Sequence, residues 1–130
     1  MAHEVFISYS SENKRIADAA CAALETQRIR CWIAPRDPIP GINWRVQILD
    51  AIADCQIVVL IFSRNADNSK QVQTEISEAF ERGKVIVPFR IEDVQPSGDL
   101  RWAMKGTHWL DAIAPPMERR FAECAKQSHD

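Results

Sequence analysis

Apolar and polar positions alternate along this chain in two rhythms. Short, nearly unbroken apolar runs stand at Glu4–Tyr9 (EVFISY), Arg30–Ile33 (RCWI), Ile57–Ser63 (IVVLIFS) and Val85–Ile91 (VIVPFRI). Runs of this length predict strands buried on both faces, as in a parallel sheet. Between them the apolar residues fall at helical spacing. Ile16, Ala20, Ala23 and Leu24 make a stripe on Lys14–Gln27, and Trp44, Ile48, Ile52 and Cys55 make one on Trp44–Cys55. Asp67–Arg82 carries Val72, Ile76, Ala79 and Phe80, with Asn68 as its expected N-cap, Gln71 in the capping-box position and Gly83 as its stop. Asp99–Lys105 reads as a short helix, Thr107–Leu110 as a fifth, very short strand, and Pro116–Lys126 as a closing helix. Pro88 removes a backbone donor, so a bulge, a strand end or an edge is expected there. Strand and helix alternate about five times. That predicts an α/β, flavodoxin-like, doubly wound fold: a five-stranded parallel sheet with helices on both faces. No repeat or linker divides residues 1–130, which read as one domain.

In such folds ligands bind outside the carboxyl ends of the strands. Three segments are expected at those ends: Ser10–Asn13, Ala34–Asn43 and Arg64–Ser69. Ala34–Asn43 holds three prolines and a glycine, so it is a stiff loop. Glu75 follows the third segment by about a turn and a half. At about 100° per residue it lies about 85° from the centre of its helix stripe, whereas Glu78 and Glu81 point well away from it. A carboxylate at that border is either an ordinary helix-edge charge in water or half-buried at the mouth of a cleft.

Composition narrows the function classes. The chain is 46% hydrophobic and 26% charged, as in soluble globular proteins, and its net charge is −2 with no long basic run. That argues against nucleic acid as a partner, since phosphate backbones need clustered cations. The longest purely apolar run, Ile57–Phe62, is far too short to span a bilayer, and the first residues lack a signal-peptide pattern, so a cytoplasmic protein is expected. Cys21, Cys31, Cys55 and Cys124 lie within apolar patterns without metal-site spacing, so they read as reduced, mostly buried thiols. His3, His108 and His129 are scattered, and no metal site is expected. The chain has no Walker loop, no GxGxxG after the first strand and no GxSxG elbow. The acidic positions of a phospho-acceptor receiver are absent too.

Taken together, VFISYSSENK, CWIAPRDPIPGINW, the apolar run ending at Ser63, SKQVQTEISEAF, PFRIED and HWLDA resemble a TIR (Toll/interleukin-1 receptor) domain of the bacterial type over about residues 4–112, with the closing helix reaching about 126. Ala34–Asn43 is similar to the family's BB loop, with Pro40-Gly41 at its tip. Glu75 falls where enzymatic members carry their catalytic glutamate, with Ser69 in the Ser-before-Glu position. The resemblance implies an NAD nucleosidase that cleaves the nicotinamide–ribose bond, giving nicotinamide and ADP-ribose or a cyclic isomer. It would act when oligomerised, as an effector domain of bacterial antiviral immune signalling. The alternative it implies is a non-enzymatic adaptor working by TIR–TIR association. NAD is then a substrate, and no cofactor is expected. Further partners are other TIR domains and a sensor domain or protein. Expected substrate contacts are Tyr9, Ser10, Ser11, Trp32, Arg36, Asp37, Gly41, Trp44, Ser69 and Gln71. The expected interaction loop comprises Ala34, Pro35, Pro38, Ile39 and Pro40. One departure stands out: Gln71 occupies a place where enzymatic members often carry an aromatic residue, so stacking must come from Tyr9, Trp32, Trp44 or a neighbouring chain.

Overall fold

The computed structural model describes residues 4–33, 43–105 and 110–111. Five parallel strands form its sheet: β1 (Val5–Ser8), β2 (Cys31–Ile33), β3 (Ile57–Phe62), β4 (Val85–Arg90) and β5 (Leu110–Asp111), in the order β2-β1-β3-β4-β5. The connecting helices are α1 (Lys14–Thr26), α2 (Trp44–Asp54), a short α3 (Arg64–Asp67), α4 (Lys70–Glu81) and α5 (Gly98–Met104). This is the doubly wound order expected from the alternation of elements. The chain steps outward from β1 to β2, then crosses back past β1 to β3. Right-handed crossovers therefore put α1 on one face and α2 on the other. Helix α4 packs against β1, β3 and β4 and touches both α2 and α5.

The sheet is apolar because both its faces are covered. Val5, Phe6, Ile7, Val58, Val59, Leu60, Ile61 and Phe62 are all fully buried. Pro88 makes no bulge: the β3–β4 register runs unbroken from Ile57 opposite Val85 to Phe62 opposite Arg90. Strand β5 begins to pair only at Phe89, so Pro88 stands one residue before that ladder starts. Gly83 closes α4 with φ +70°, the left-handed conformation of a helix stop, and Lys84 N–H reaches back to the Ala79 carbonyl. Cys21, Cys31 and Cys55 are unbridged thiols. The expected loop at residues 34–42, His3, His108, His129, Cys124 and the closing helix lie outside the described residues.

The start of α4 differs from the sequence reading. Arg64–Ser69 is no plain loop, since α3 occupies most of it. Asn68 ends α3 in a near-helical conformation (φ −96°, ψ 0°) and cannot offer the extended backbone an N-cap needs. Ser69 is extended instead (φ −87°, ψ 120°), and its hydroxyl accepts from Val72 N–H at 3.3 Å. Gln71 therefore falls at the second helical position and is no capping-box partner.

Candidate active site

The buried stripe of α4 is Val72, Glu75, Ile76 and Ala79, while Phe80 is 49% exposed. Compared with the stripe expected from spacing, the helix is rotated about its axis. Phe80 has turned outward and Glu75 inward, and only 3% of Glu75 remains exposed. A carboxylate that deep must be hydrogen-bonded. Its partner is Ser8, whose Oγ donates to Glu75 Oε1 at 2.7 Å with both residues buried. Ser8 is the last residue of β1 and pairs with Leu60 of β3. The bond thus joins the helix that follows β3 to the end of β1. That is the topological switch point of this strand order, where doubly wound folds place their ligands.

Glu75 also lines a cleft of about 780 Å³ between α2 and α4. From α2 come Asn43, Arg45, Ile48 and Leu49; from α4 come Lys70, Gln71, Thr74 and Glu75. Both helices begin at this cleft, so the positive ends of their backbone dipoles add there. Asn43 caps α2, its side-chain oxygen accepting from Val46 N–H at 3.4 Å. The cleft thus sets the buried carboxylate of Glu75 beside the apolar side chains of Ile48 and Leu49.

Of the expected substrate contacts among the described residues, Gln71 lines this cleft together with Glu75. Tyr9 is fully buried and offers no surface to a ligand. Ser10 caps the short 3-10 turn at Ser11–Asn13, accepting from Glu12 N–H at 3.4 Å, and Ser11 is exposed on that turn. Trp32 is half-buried and stacks on Phe6 with ring centroids 5.2 Å apart, so its ring is engaged by the core. Ser69 serves as the cap of α4. Trp44 opens α2, but its side chain lies outside the described residues. So do Arg36, Asp37 and Gly41, and the interaction-loop residues Ala34, Pro35, Pro38, Ile39 and Pro40.

Ser8 was absent from the expected set. Its signal was a hydroxyl inside an otherwise apolar run, two residues after Phe6 and so on the same sheet face. A polar group fully buried in a strand demands a partner, and here that partner is the carboxylate.

A family model described as a TIR domain matches residues 5–124. The chain belongs to the TIR domain family. Among solved structures, this TIR domain is similar to that of the Toll-related receptor TRR-2 from Hydra magnipapillata, at 16% identity and a TM-score of 0.80, covering 99% of this chain and 100% of that one. It is also similar to a metazoan TIR-STING receptor from C. gigas, at 21% identity and a TM-score of 0.73, over 98% of this chain and 40% of that one. A third structure of like fold is the CMP N-glycosidase BcmB of Clostridium botulinum, at 19% identity and a TM-score of 0.66, covering 95% of this chain and 98% of that one. No curated protein matches the chain in sequence. No described helix is long and apolar enough to cross a membrane, and no described group of His, Cys, Asp and Glu could hold a metal ion.

Proposed function

We propose that this TIR domain is an NAD glycohydrolase, splitting the bond between nicotinamide and ribose with Glu75 as the catalytic carboxylate. The observation that carries the reading is the buried Glu75, aimed by Ser8 and lining the cleft at the switch point. The chemistry suits one carboxylate. The nicotinamide ring of NAD carries a positive charge, takes the bonding pair as it leaves and departs neutral, so no general acid is needed. The ribose carbon gains oxocarbenium character, and an anionic oxygen held beside it stabilises that charge. Water then adds to the carbon and releases a proton, giving ADP-ribose; attack by the adenine ring instead would give the cyclic isomer. Ser8 restrains the carboxylate, so little reorganisation is needed when charge develops. The fold is shared by a protein named as an N-glycosidase, which is in keeping with cleavage at a sugar–base bond.

Activity on assembly is part of the proposal. Val46 and Leu49 are 51% and 39% exposed on α2 beside the cleft, an apolar pair one turn apart that a neighbouring copy would cover. The biological setting we propose is an immune effector in the cytoplasm, switched on by a sensor domain or partner protein that brings copies together.

The test is nicotinamide release from NAD at high protein concentration with a crowding agent, for the parent and Glu75→Gln. Release by the parent that disappears in the variant is the expected result. Equal release by both would overturn the assignment of Glu75. Release from neither, with loss of biological function on disrupting the 34–42 loop but not on changing Glu75, would favour a purely associative TIR domain.

A further inference from the structure

Helices α1 and α4 close with the same pattern of hydrogen bonds at the amino end of the sheet. After α4, Gly83 N–H reaches the Phe80 carbonyl at 3.1 Å and Lys84 N–H that of Ala79 at 3.0 Å. After α1, Arg28 N–H reaches the Glu25 carbonyl at 2.9 Å and Ile29 N–H that of Leu24 at 3.0 Å. The residue at the turn is left-handed in both, with φ +70° at Gly83 and +64° at Arg28. Glycine takes that conformation without a steric cost, whereas the Cβ of an arginine is crowded there. Arg28 is the one non-glycine residue with positive φ among those described. An arginine held where a glycine would cap the helix better points to a use for its side chain.

That side chain lines a cavity of about 510 Å³ at the amino end, on the far side of the sheet from Glu75. Arg30, two residues on, lines it as well, and so does Glu25 from the last turn of α1. These three are exposed, while Ile29 and Cys31 are buried and form the floor. Two guanidinium groups and one carboxylate therefore converge on a concave site of small-molecule size. We propose that Arg28 and Arg30 hold the two carboxylates of an acidic amino acid, with Glu25 receiving its ammonium group. Each guanidinium presents a planar fork of donors that matches one carboxylate. Glu25 repels a ligand that is anionic throughout, such as phosphate, and favours one that carries a cation of its own. The same pair of carboxylates occurs at the end of a peptide whose last residue is glutamate, where the amine is blocked.

The experiment is chemical-shift titration of the full chain at fixed ionic strength, with L-glutamate, N-acetyl-L-glutamate and inorganic phosphate as probes. Glutamate is expected to shift the amides of residues 25–31 and to bind at least about tenfold more tightly than phosphate. The decisive variant is Arg28→Gly, which removes the guanidinium and relieves the backbone together. It should weaken glutamate binding by about tenfold or more and melt at the same temperature as the parent or a higher one. Arg30→Gln weakens binding likewise, and Arg101→Gln, which removes an exposed cation on α5 away from the cavity, leaves it unchanged. Tighter binding of glutamate than of its acetylated form, lost in Glu25→Gln, identifies the free amino acid as the ligand. Tighter binding of the acetylated form identifies a peptide end. The proposal is overturned if none of the probes shifts these amides at roughly 10 mM, or if phosphate binds as tightly as glutamate. It is overturned too if Arg28→Gly binds as the parent does, or if it melts well below the parent, since the arginine would then serve the fold.

Discussion

The two ends of the sheet are built differently. At the carboxyl end the described interior holds polar groups: Ser8, Ser10, Ser63 and Glu75 are the buried polar or charged residues among those described. Each is tied down. Ser8 holds Glu75, Ser10 and Ser63 cap short helical segments, and Ser63 Oγ also donates to Asn13 Oδ1 at 2.6 Å. At the amino end the buried residues are Val5, Ile29, Cys31 and Cys55. A cavity exists there too, of about 510 Å³, lined by Glu25, Arg28, Ile29, Arg30 and Cys31, but no buried carboxylate faces it. Burying a polar group costs free energy even when it is bonded; Ser10 and Ser63 offset it as caps, which leaves Glu75, held by Ser8, as the buried charge that no helix cap requires.

The contrast can be broken by substitution at either end. The largest expected effect is at Glu75: Glu75→Gln keeps the fold and lowers nicotinamide release by about 10²–10³-fold, the usual loss when one oriented electrostatic stabiliser is removed. The mirror experiment is Ile29→Ala, which empties a fully buried site at the amino end. It should cost about 2–5 kcal/mol of stability by denaturant unfolding and leave the turnover of the folded fraction unchanged. A fall in turnover there would mean that the two ends are coupled. Ser8→Ala comes next. It leaves the buried carboxylate one donor short, which costs about 1–3 kcal/mol, and it should lower kcat with little change in KM, while Ser8→Thr restores part of the rate. Equal kcat in parent and Ser8→Ala would reduce Ser8 to a packing residue. Ser69→Ala removes the cap of α4 and should cost about 1 kcal/mol.

The smallest effect belongs to Cys21. Burial, with the Glu25 carboxylate beside it, pushes its thiol from the ordinary 9.0 up to about 11. The folded chain therefore keeps a proton that the unfolded chain releases between pH 9 and 11. This contribution to stability is complete below pH 9 and is lost as pH rises toward 11. Alkylation at pH 8.5 should be slower for Cys21 than for the same thiol in unfolded chain, because less thiolate is present.

Most of the fold was legible because a parallel sheet covered on both faces leaves a direct trace. Each apolar run became a strand shifted by no more than one residue at its start, apart from the fifth. That strand was expected at Thr107–Leu110 and is described only at Leu110–Asp111. The site was legible in part. Glu75 could be picked from its place after the third strand, and Gln71 does line the same cleft. Tyr9 and Trp32 were expected against substrate because aromatic rings suit stacking, but Tyr9 is fully buried in the core and Trp32 is half-buried with its ring stacked on Phe6.

The order of apolar runs and helical stripes alone determined the doubly wound class and the end at which a ligand site would lie. Those depend on local periodicity and on the handedness of crossovers, which every L-polypeptide obeys. Which way α4 is turned was settled only in the tertiary structure. Spacing along a helix defines a stripe to within about one residue, or 100°. Phe80 and Glu75 lie at opposite edges of that stripe, about 140° apart, so a turn that buries one exposes the other. A phenyl ring in water and a carboxylate in the core both look unfavourable locally. The balance is tipped by a hydroxyl at the end of β1, 67 residues earlier in the chain, and no window along the sequence contains both partners.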